Sequence, residues 1–283
     1  MKIEKILCPI ELEKETEVLI SSSFFFAKKF KASLYFLNAI EKIEPPILKV
    51  LGYEEKIEKL LEEEKKKREE TIKEITDKIK SEGIDTHGIV RYGKAFSEIL
   101  QFADEIKPDL IIMGVQASYG IEKFFIGSNT WRVIESKKFP VLTTRKRIEK
   151  EFKRIIVPID LSKISYNAIP YARFFKKRFN SKIYFLHILV ILESMSKWES
   201  AKKMEEEIKK KMEEEIEKDE EIIVEKAPDA TSGILKIQKD LEGDFIIMST
   251  HGRGGIEKAL FGSVTERIIR ESEIPVLSIP PTL

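Results

Sequence analysis

Along the chain, short runs of consecutive apolar residues alternate with stretches in which apolar positions recur every three or four residues. In the C-terminal half KRIIVPI (153–159), KIYFLHILV (182–190), EEIIVEKA (220–227), DFIIMST (244–250) and PVLSI (275–279) read as buried strands. Between them, Ser165 to Arg178 places Ala168, Ile169, Ala172 and Phe175 on one helical face, and Gly233 to Leu241 and Val264 to Glu271 predict shorter helices. Strands apolar on both faces, alternating with helices, imply a parallel sheet covered on two sides. In the N-terminal half Ile57, Leu60, Leu61, Glu64, Arg68, Ile72, Ile75 and Ile79 mark the mostly apolar stripe of a longer helix. Its Glu/Lys run reads as a solvated face held by pairs three or four residues apart. The expected fold class is α/β, with each half a five-stranded parallel sheet carrying helices on both faces.

The two halves are copies. At an offset of 149, Ile6 matches Ile155, Pro9 matches Pro158, Phe25 matches Phe174, Phe30 matches Phe179 and Tyr35 matches Tyr184. Later, at an offset of 135, Ile111 to Gly114 matches Ile246 to Ser249, Gly127-Ser128 matches Gly262-Ser263, and Pro140-Val141-Leu142 matches Pro275-Val276-Leu277. The first unit therefore carries extra residues in its middle. A repeat of this length is a complete domain and not a solenoid unit. We expect one domain over residues 1–147 and a second over 151–283, joined through the charged stretch Arg145 to Glu151, which is short enough to favour a fixed pair.

Charge narrows the function. With 50 Lys+Arg against 49 Asp+Glu, and Lys and Glu alternating in the same segments, no basic face is left to hold nucleic acid through its phosphates. A single cysteine forms no internal disulfide, no apolar run reaches the length of a membrane span, and Met1 to Glu15 lacks the apolar core of a signal peptide. The expected location is cytoplasmic, with neither nucleic acid nor membrane as partner.

Candidate chemistry gathers at one loop per half. After the fourth strand of the second half comes Ser249-Thr250-His251-Gly252-Arg253-Gly254-Gly255, and then Gly262-Ser263-Val264 at the head of a helix. Glycines admit an anion to the backbone amides, and the helix N-terminus adds unpaired N–H groups and a positive dipole end. On composition alone, a glycine-rich turn with Ser263 as an ordinary N-cap stands equally open. The loop is neither a P-loop nor a dinucleotide fingerprint, since no GxxxxGK[ST] occurs and it follows the fourth strand.

The spacing Ser249, two residues, Gly252, nine residues, Gly262-Ser263 resembles the universal stress protein family, whose ATP-binding members carry Gly, two residues, Gly, nine residues, then Gly-Ser or Gly-Thr. The first half reads Gly114, two residues, Ala117, nine residues, Gly127-Ser128. A first strand ending in Pro-Ile-Asp or Pro-Ile-Glu, a second strand ending near His187-Ile188 and a closing Pro-Val-Leu strand extend the likeness over both halves. The resemblance implies an adenine nucleotide alpha hydrolase-like sandwich in each half. It implies Asp160 beside ribose and adenine, a main-chain group of Ile188 at the base, and Gly252, Gly262, Ser263 and Val264 at the phosphates of ATP with Mg2+. Arg253 either adds charge there or stands as an exposed loop arginine that touches nothing. Ser249 departs from the motif's glycine, and its Cβ is expected beside the sugar, weakening affinity.

The first half departs further. Glu11 replaces the Asp, Ala117 the loop glycine, and Asn129 the residue after Gly127-Ser128, so Glu11, Gly114, Gly127 and Ser128 form a degenerate second site. His187 and His251 have no metal-ligand partners in the pattern, His87 reads as a surface residue and Cys8 as a small buried apolar side chain. Three readings follow: a regulatory ATP-binding stress-response protein, an interaction module of the same fold without nucleotide, and, ranked last, a slow ATPase, because no general base stands out. Family dimers pair through their last strands, which implies that Val141 to Thr144 and Val276 to Ile279 meet across an internal pseudo-twofold axis. A homodimer through other surfaces, with the long first-half helix as candidate, stays open.

Overall fold

A computed structural model describes residues 1–12, 16–41, 52–115, 126–191, 199–218, 220–250 and 262–281. The first half runs β1 (Lys5–Pro9), α1 (Thr16–Phe30), β2 (Ser33–Ile40), α2 (Glu54–Ser81), β3 (Thr86–Tyr92), α3 (Ala95–Ile106), β4 (Leu110–Gly114), α4 (Ser128–Glu135), β5 (Val141–Thr144). The second runs β6 (Arg154–Pro158), a 3-10 turn (Ser165–Asn167), α5 (Ala168–Phe179), β7 (Lys182–Val190), α6 (Glu199–Met212), β8 (Glu221–Ala227), α7 (Ala230–Asp240), β9 (Phe245–Ser249), α8 (Ser263–Glu271), β10 (Val276–Ile279).

Each half pairs its five strands in parallel, and the two sets join into one ten-stranded sheet of order β3-β2-β1-β4-β5-β10-β9-β6-β7-β8. The join is antiparallel, with Leu142 opposite Leu277. The closing strands meet as expected, so the two five-stranded sheets run on as one, and neither β5 nor β10 is left as an open template. Alternate strand residues face two apolar layers. Ile6, Cys8, Ile155 and Val157 pack with α1, α5 and the inner side of α2, whereas Leu7, Ile156, Ile111 and Ile246 pack with α3, α4, α7 and α8. No helix among the described residues is long and apolar enough to cross a membrane.

Several boundaries differ from expectation. The helix anticipated from Ser165 opens as a 3-10 turn and becomes α-helical only at Ala168, which leaves Pro170 in the first helical turn where its missing N–H has no partner to lose. Helix α7 starts at Ala230, not Gly233, since the Asp229 carboxylate accepts from the Ser232 amide at 3.1 Å and caps it. Gly233 lies inside that helix because a Cβ there would come within 2.8 Å of Ile188 Cδ1 and 2.9 Å of Ala227 Cβ. Strand β7 runs Lys182–Val190 as its apolar run predicts, past the end near His187-Ile188 that the family resemblance implied. Leu60, a member of the expected apolar stripe of α2, is 56% exposed, whereas Leu61 beside it packs on the core. Helix α6 was not foreseen. With 14 residues against 28 for α2, the difference accounts for the length of the first-half insertion.

Candidate functional site

In each half the chain order reverses beside the first strand: β1 lies between β2 and β4, and β6 between β7 and β9. That switch point leaves a crevice at the carboxyl ends of the strands, where open α/β sheets place ligands. In the second half Asp160 emerges there after β6. Its Oδ1 accepts from the Ser162 amide at 2.9 Å and the Ser162 hydroxyl at 2.6 Å, a turn that fixes the carboxylate. Leu161 between them is left-handed at φ 67°, and Leu12, its copy after Glu11, repeats the conformation at φ 61°. A bulky side chain costs about 1 kcal/mol or more in that region, so the repeat maintains a strained turn twice at the same place.

The strand beside this turn holds it. His187 Nδ1 lies 2.7 Å from the Ile159 carbonyl, which can only accept, so the proton resides on Nδ1. Asn38 occupies the same place in the first half and donates from Nδ2 to the Ile10 carbonyl at 2.7 Å, while Arg68 of α2 donates to Asn38 Oδ1 at 3.0 Å. The polar members of the α2 stripe are thus explained: Glu64 holds Arg68 at 2.7 Å, and Arg68 holds Asn38. Ile188 does not lie past the end of its strand but within it. Leu186 directs its carbonyl to the Ile159 amide on the β6 side, and by the two-residue period of a strand Ile188 directs its main-chain groups the same way, beyond the end of β6. They face the crevice.

Opposite them, β9 delivers the chain to α8. The Thr250 amide donates to Ile279 O at 2.9 Å and the Gly262 amide to Thr250 O at 3.1 Å, so both ends of the glycine-rich loop are pinned together. Thr265 Oγ1 donates to Ser249 O at 3.1 Å, and its copy Thr130 donates to Gly114 O at 2.9 Å, fixing each helix against its strand. His251, Gly252 and Arg253, and Ala117 in the first half, lie outside the described residues. Ser249 is buried, and its hydroxyl donates to the Ile164 carbonyl at 2.7 Å, tying β9 to the turn below Asp160.

Both helices begin without a side-chain cap. The N-cap residues are Gly262 at φ −59°, ψ 118° and Gly127 at φ −54°, ψ 142°, conformations any residue adopts, and a Cβ on Gly127 would meet nothing within 4 Å. Neither backbone strain nor packing explains glycine at Gly127, at a position where Ser, Thr, Asp or Asn normally satisfies the first-turn amides. Ser263 and Ser128 next to them are exposed, and Val264 and Asn129 half-buried. Among the described residues no side chain caps either helix start, where the first-turn backbone donors lie at the positive end of a dipole. These groups suit an anion, and the described residues contain no group of three or more His, Cys, Asp and Glu that could hold a metal ion by themselves.

The model of the universal stress protein family matches this chain twice, over residues 2–145 and 151–280. The chain belongs to the universal stress protein family. It carries two family units in tandem. Universal stress protein MJ0531 of Methanocaldococcus jannaschii is 30% identical over 144 residues, spanning 50% of this chain and 82% of that protein. Universal stress protein MJ0577 of the same organism is 29% identical over 155 residues, spanning 51% of this chain and 96% of its own. Two solved structures share the fold over nearly the whole length. A universal stress protein from Archaeoglobus fulgidus aligns with a TM-score of 0.71 at 23% identity, covering 100% of both chains. A universal stress protein from Pseudomonas aeruginosa aligns at 0.74 and 16% identity, covering 98% of this chain and 93% of that one. The tandem family member thus keeps the strand order and turns of a single unit in both halves.

Proposed function

We propose that the unit over residues 151–283 binds ATP, with Mg2+ carried on its phosphates, and that occupancy acts as a switch in a stress response. The unit over residues 1–147 binds it weakly or not at all. The observation that carries this reading is the uncapped start of α8, with glycine at the N-cap in a conformation that does not require it. Gly262, Ser263 and Val264 would receive the phosphates together with Gly252 and Arg253 of the loop. The main chain of Ile188 would meet the base, and Asp160, held by Ser162, the ribose hydroxyls. A carboxylate pinned by two donors suits orientation better than proton transfer, so we assign binding and not turnover.

In the first half Glu11, Gly114, Gly127 and Ser128 form the same frame, with a longer acidic arm and Asn129 in place of Val264. A nucleotide-free interaction module is the second reading, favoured by Ser249, whose side chain is already committed to Ile164 within the fold.

Thermal shift with Mg-ATP on nucleotide-free protein tests the proposal. Native-state ligand stabilises by about 2.7 kcal/mol at a hundredfold excess over Kd. The rise should vanish in Gly262→Val, whose backbone angles valine tolerates, and persist in Gly127→Val. No rise in the parent would leave the interaction module as the reading.

A further inference from the structure

Helix α8 is gripped at its far end by a residue of the other half. Arg145, the first residue after β5, donates from Nη2 to the carbonyls of Ile269 and Arg270, both at 2.8 Å, and from Nη1 to that of Ser272. These are carbonyls of the last turn, where the helix dipole is negative and a cation is favoured. Burial pushes the Arg145 guanidinium down to about 10, which still leaves it charged at neutral pH. The next residues turn to the first half: Arg147 pairs with Glu17 at 2.5 Å, and the Ile148 amide donates to the buried Ser22 hydroxyl at 3.0 Å. The connecting segment is therefore anchored at both ends.

The repeat has no second copy of this grip. Arg145 corresponds to Pro280, which has no such donor to offer the end of α4, where Ser136 donates to Arg132 O and Lys137 to Ile134 O. Of the two equivalent helices, the one held from the other half is the one that begins Gly262-Ser263-Val264. At 9 residues and 1.5 Å per residue, α8 is about 14 Å long, and its buried Ile268 and Ile269 and the Thr265 bond to Ser249 leave it to move as one body. At the other end of the link, Thr144 accepts from the Val115 amide at 3.2 Å, so Arg145 follows directly on the strand that borders the first-half crevice.

We propose that Arg145 is a positioning residue for the anion-binding start of α8, and that through it the last strand of the first half is coupled to nucleotide binding in the second. The inference takes the role of that helix start from the proposed function. By linkage, a ligand or partner that shifts the end of β5 changes affinity at Ser263 and Val264, and nucleotide there acts back on β5.

Hydrogen exchange of the ligand-free full chain tests the positioning directly, with the first turn of α4 as internal reference. In Arg145→Met, exchange at the Glu266 and Arg267 amides, the first of which donates to the Gly262 carbonyl, should rise roughly tenfold relative to Trp131 and Arg132, the first of which donates to the Gly127 carbonyl. Arg145→Lys keeps the charge without the three-way fork and should recover part of the protection. A rise confined to Ile269 through Ser272, or equal in both helices, overturns the inference. In a second arm, titration with Mg-ATP should show Kd about 3- to 30-fold higher in Arg145→Met than in the parent. An unchanged Kd beside a parent that binds overturns the coupling. If the parent does not bind at all, the proposed function falls and the coupling to nucleotide with it, while the exchange pattern still decides the positioning.

Discussion

Leu142 lies directly opposite Leu277 where β5 pairs antiparallel with β10, and the two are the same position of the repeat. A residue that faces its own copy marks a twofold axis, and the packing beneath obeys it. Phe26 meets its copy Phe175 edge-on at 6.3 Å, while Phe25 stacks on Phe179 at 6.1 Å and Phe30 on Phe174 at 5.5 Å, two contacts exchanged by the same axis. Lys29 over the Phe179 ring and Arg178 over the Phe30 ring repeat the exchange at 5.7 and 5.6 Å. An isologous interface normally assembles two chains, and here it is built within one.

Because α1 and α5 share this aromatic layer, the halves should unfold together. Phe26 is fully buried, so Phe26→Ala should lower stability by about 3 to 5 kcal/mol. Urea unfolding followed by probes in each half should show one coincident transition moved to lower denaturant. Two separated transitions, with only the first half shifted, would refute the shared core.

The Cys8 thiol is fully buried, with its sulfur 3.8 Å from the Leu19 carbonyl, and burial pushes it up to about 12 despite a counteracting bond from Ser23. A raised folded value means that the native state retains the proton longer than the unfolded chain. Its contribution is complete below pH 9 and is lost as pH rises towards 12, on the order of 4 kcal/mol. Tyr171, also raised to about 12 by burial and then by Asp109, acts in the same direction. Stability should therefore fall steeply above pH 9, and a thiol reagent at pH 8 should label Cys8 only after denaturant is added. Rapid labelling of the native protein would contradict this burial.

Much of this architecture was legible before the structure. The strands announce themselves because they are apolar on consecutive positions, and the closing edges because Pro-Val-Leu occurs twice. Helix α6 escaped because its sequence is dominated by Glu and Lys. Only the spacing Ala201, Ile208, Met212, buried or half-buried, betrays an inner face. Gly233 looked like a helix start, since nothing local reveals that Ile188 and Ala227 press on that position from the sheet. The pairing of Arg145 with the end of α8 joins residues more than 120 apart, and no local pattern in Arg145 to Glu151 points to it. Around the crevice, Asp160, Ile188 and the Gly262 helix start fall on one side of the sheet as their order in the repeat suggests. The motif marks Ser249 only as an obstacle, and its bond to Ile164 depends on a turn that sequence spacing does not display.

Charge pairs should divide sharply by burial. The Glu220 side chain is 1% exposed and takes two bonds from Arg173, at 3.0 and 2.7 Å, plus the Glu217 amide at 3.1 Å. Replacing it with Gln removes charge-assisted bonds to a guanidinium that also reaches the more exposed Glu217 and the Glu215 carbonyl, and should cost about 2 to 3 kcal/mol. Lys146 and Glu273 at 3.2 Å are 69% and 72% exposed, and Glu273→Gln should change stability by less than about 0.5 kcal/mol. Chemical denaturation of the two variants side by side checks the contrast, and equal losses would contradict it.

His187 and Asn38 perform one task with different side chains, which makes a direct exchange informative. Each donates at 2.7 Å to the carbonyl just before the acidic residue of its half, Ile159 or Ile10, and so fixes the entry to the left-handed Leu161 or Leu12. His187→Asn should preserve that bond, because the backbone at Asn38 already presents an amide to the same acceptor. The smaller side chain leaves some space, so a loss of about 1 kcal/mol is expected. His187→Leu fills the space but strands a buried carbonyl, at about 1 to 3 kcal/mol, and releases the turn that carries Asp160. Thermal unfolding ranks the three proteins, and the ATP shift then separates fold from site. Under the proposed function, His187→Asn should keep the shift and His187→Leu should diminish it by more than its stability loss accounts for. A leucine variant with full stability would mean that the Ile159 carbonyl finds another donor and that His187 does not hold the turn.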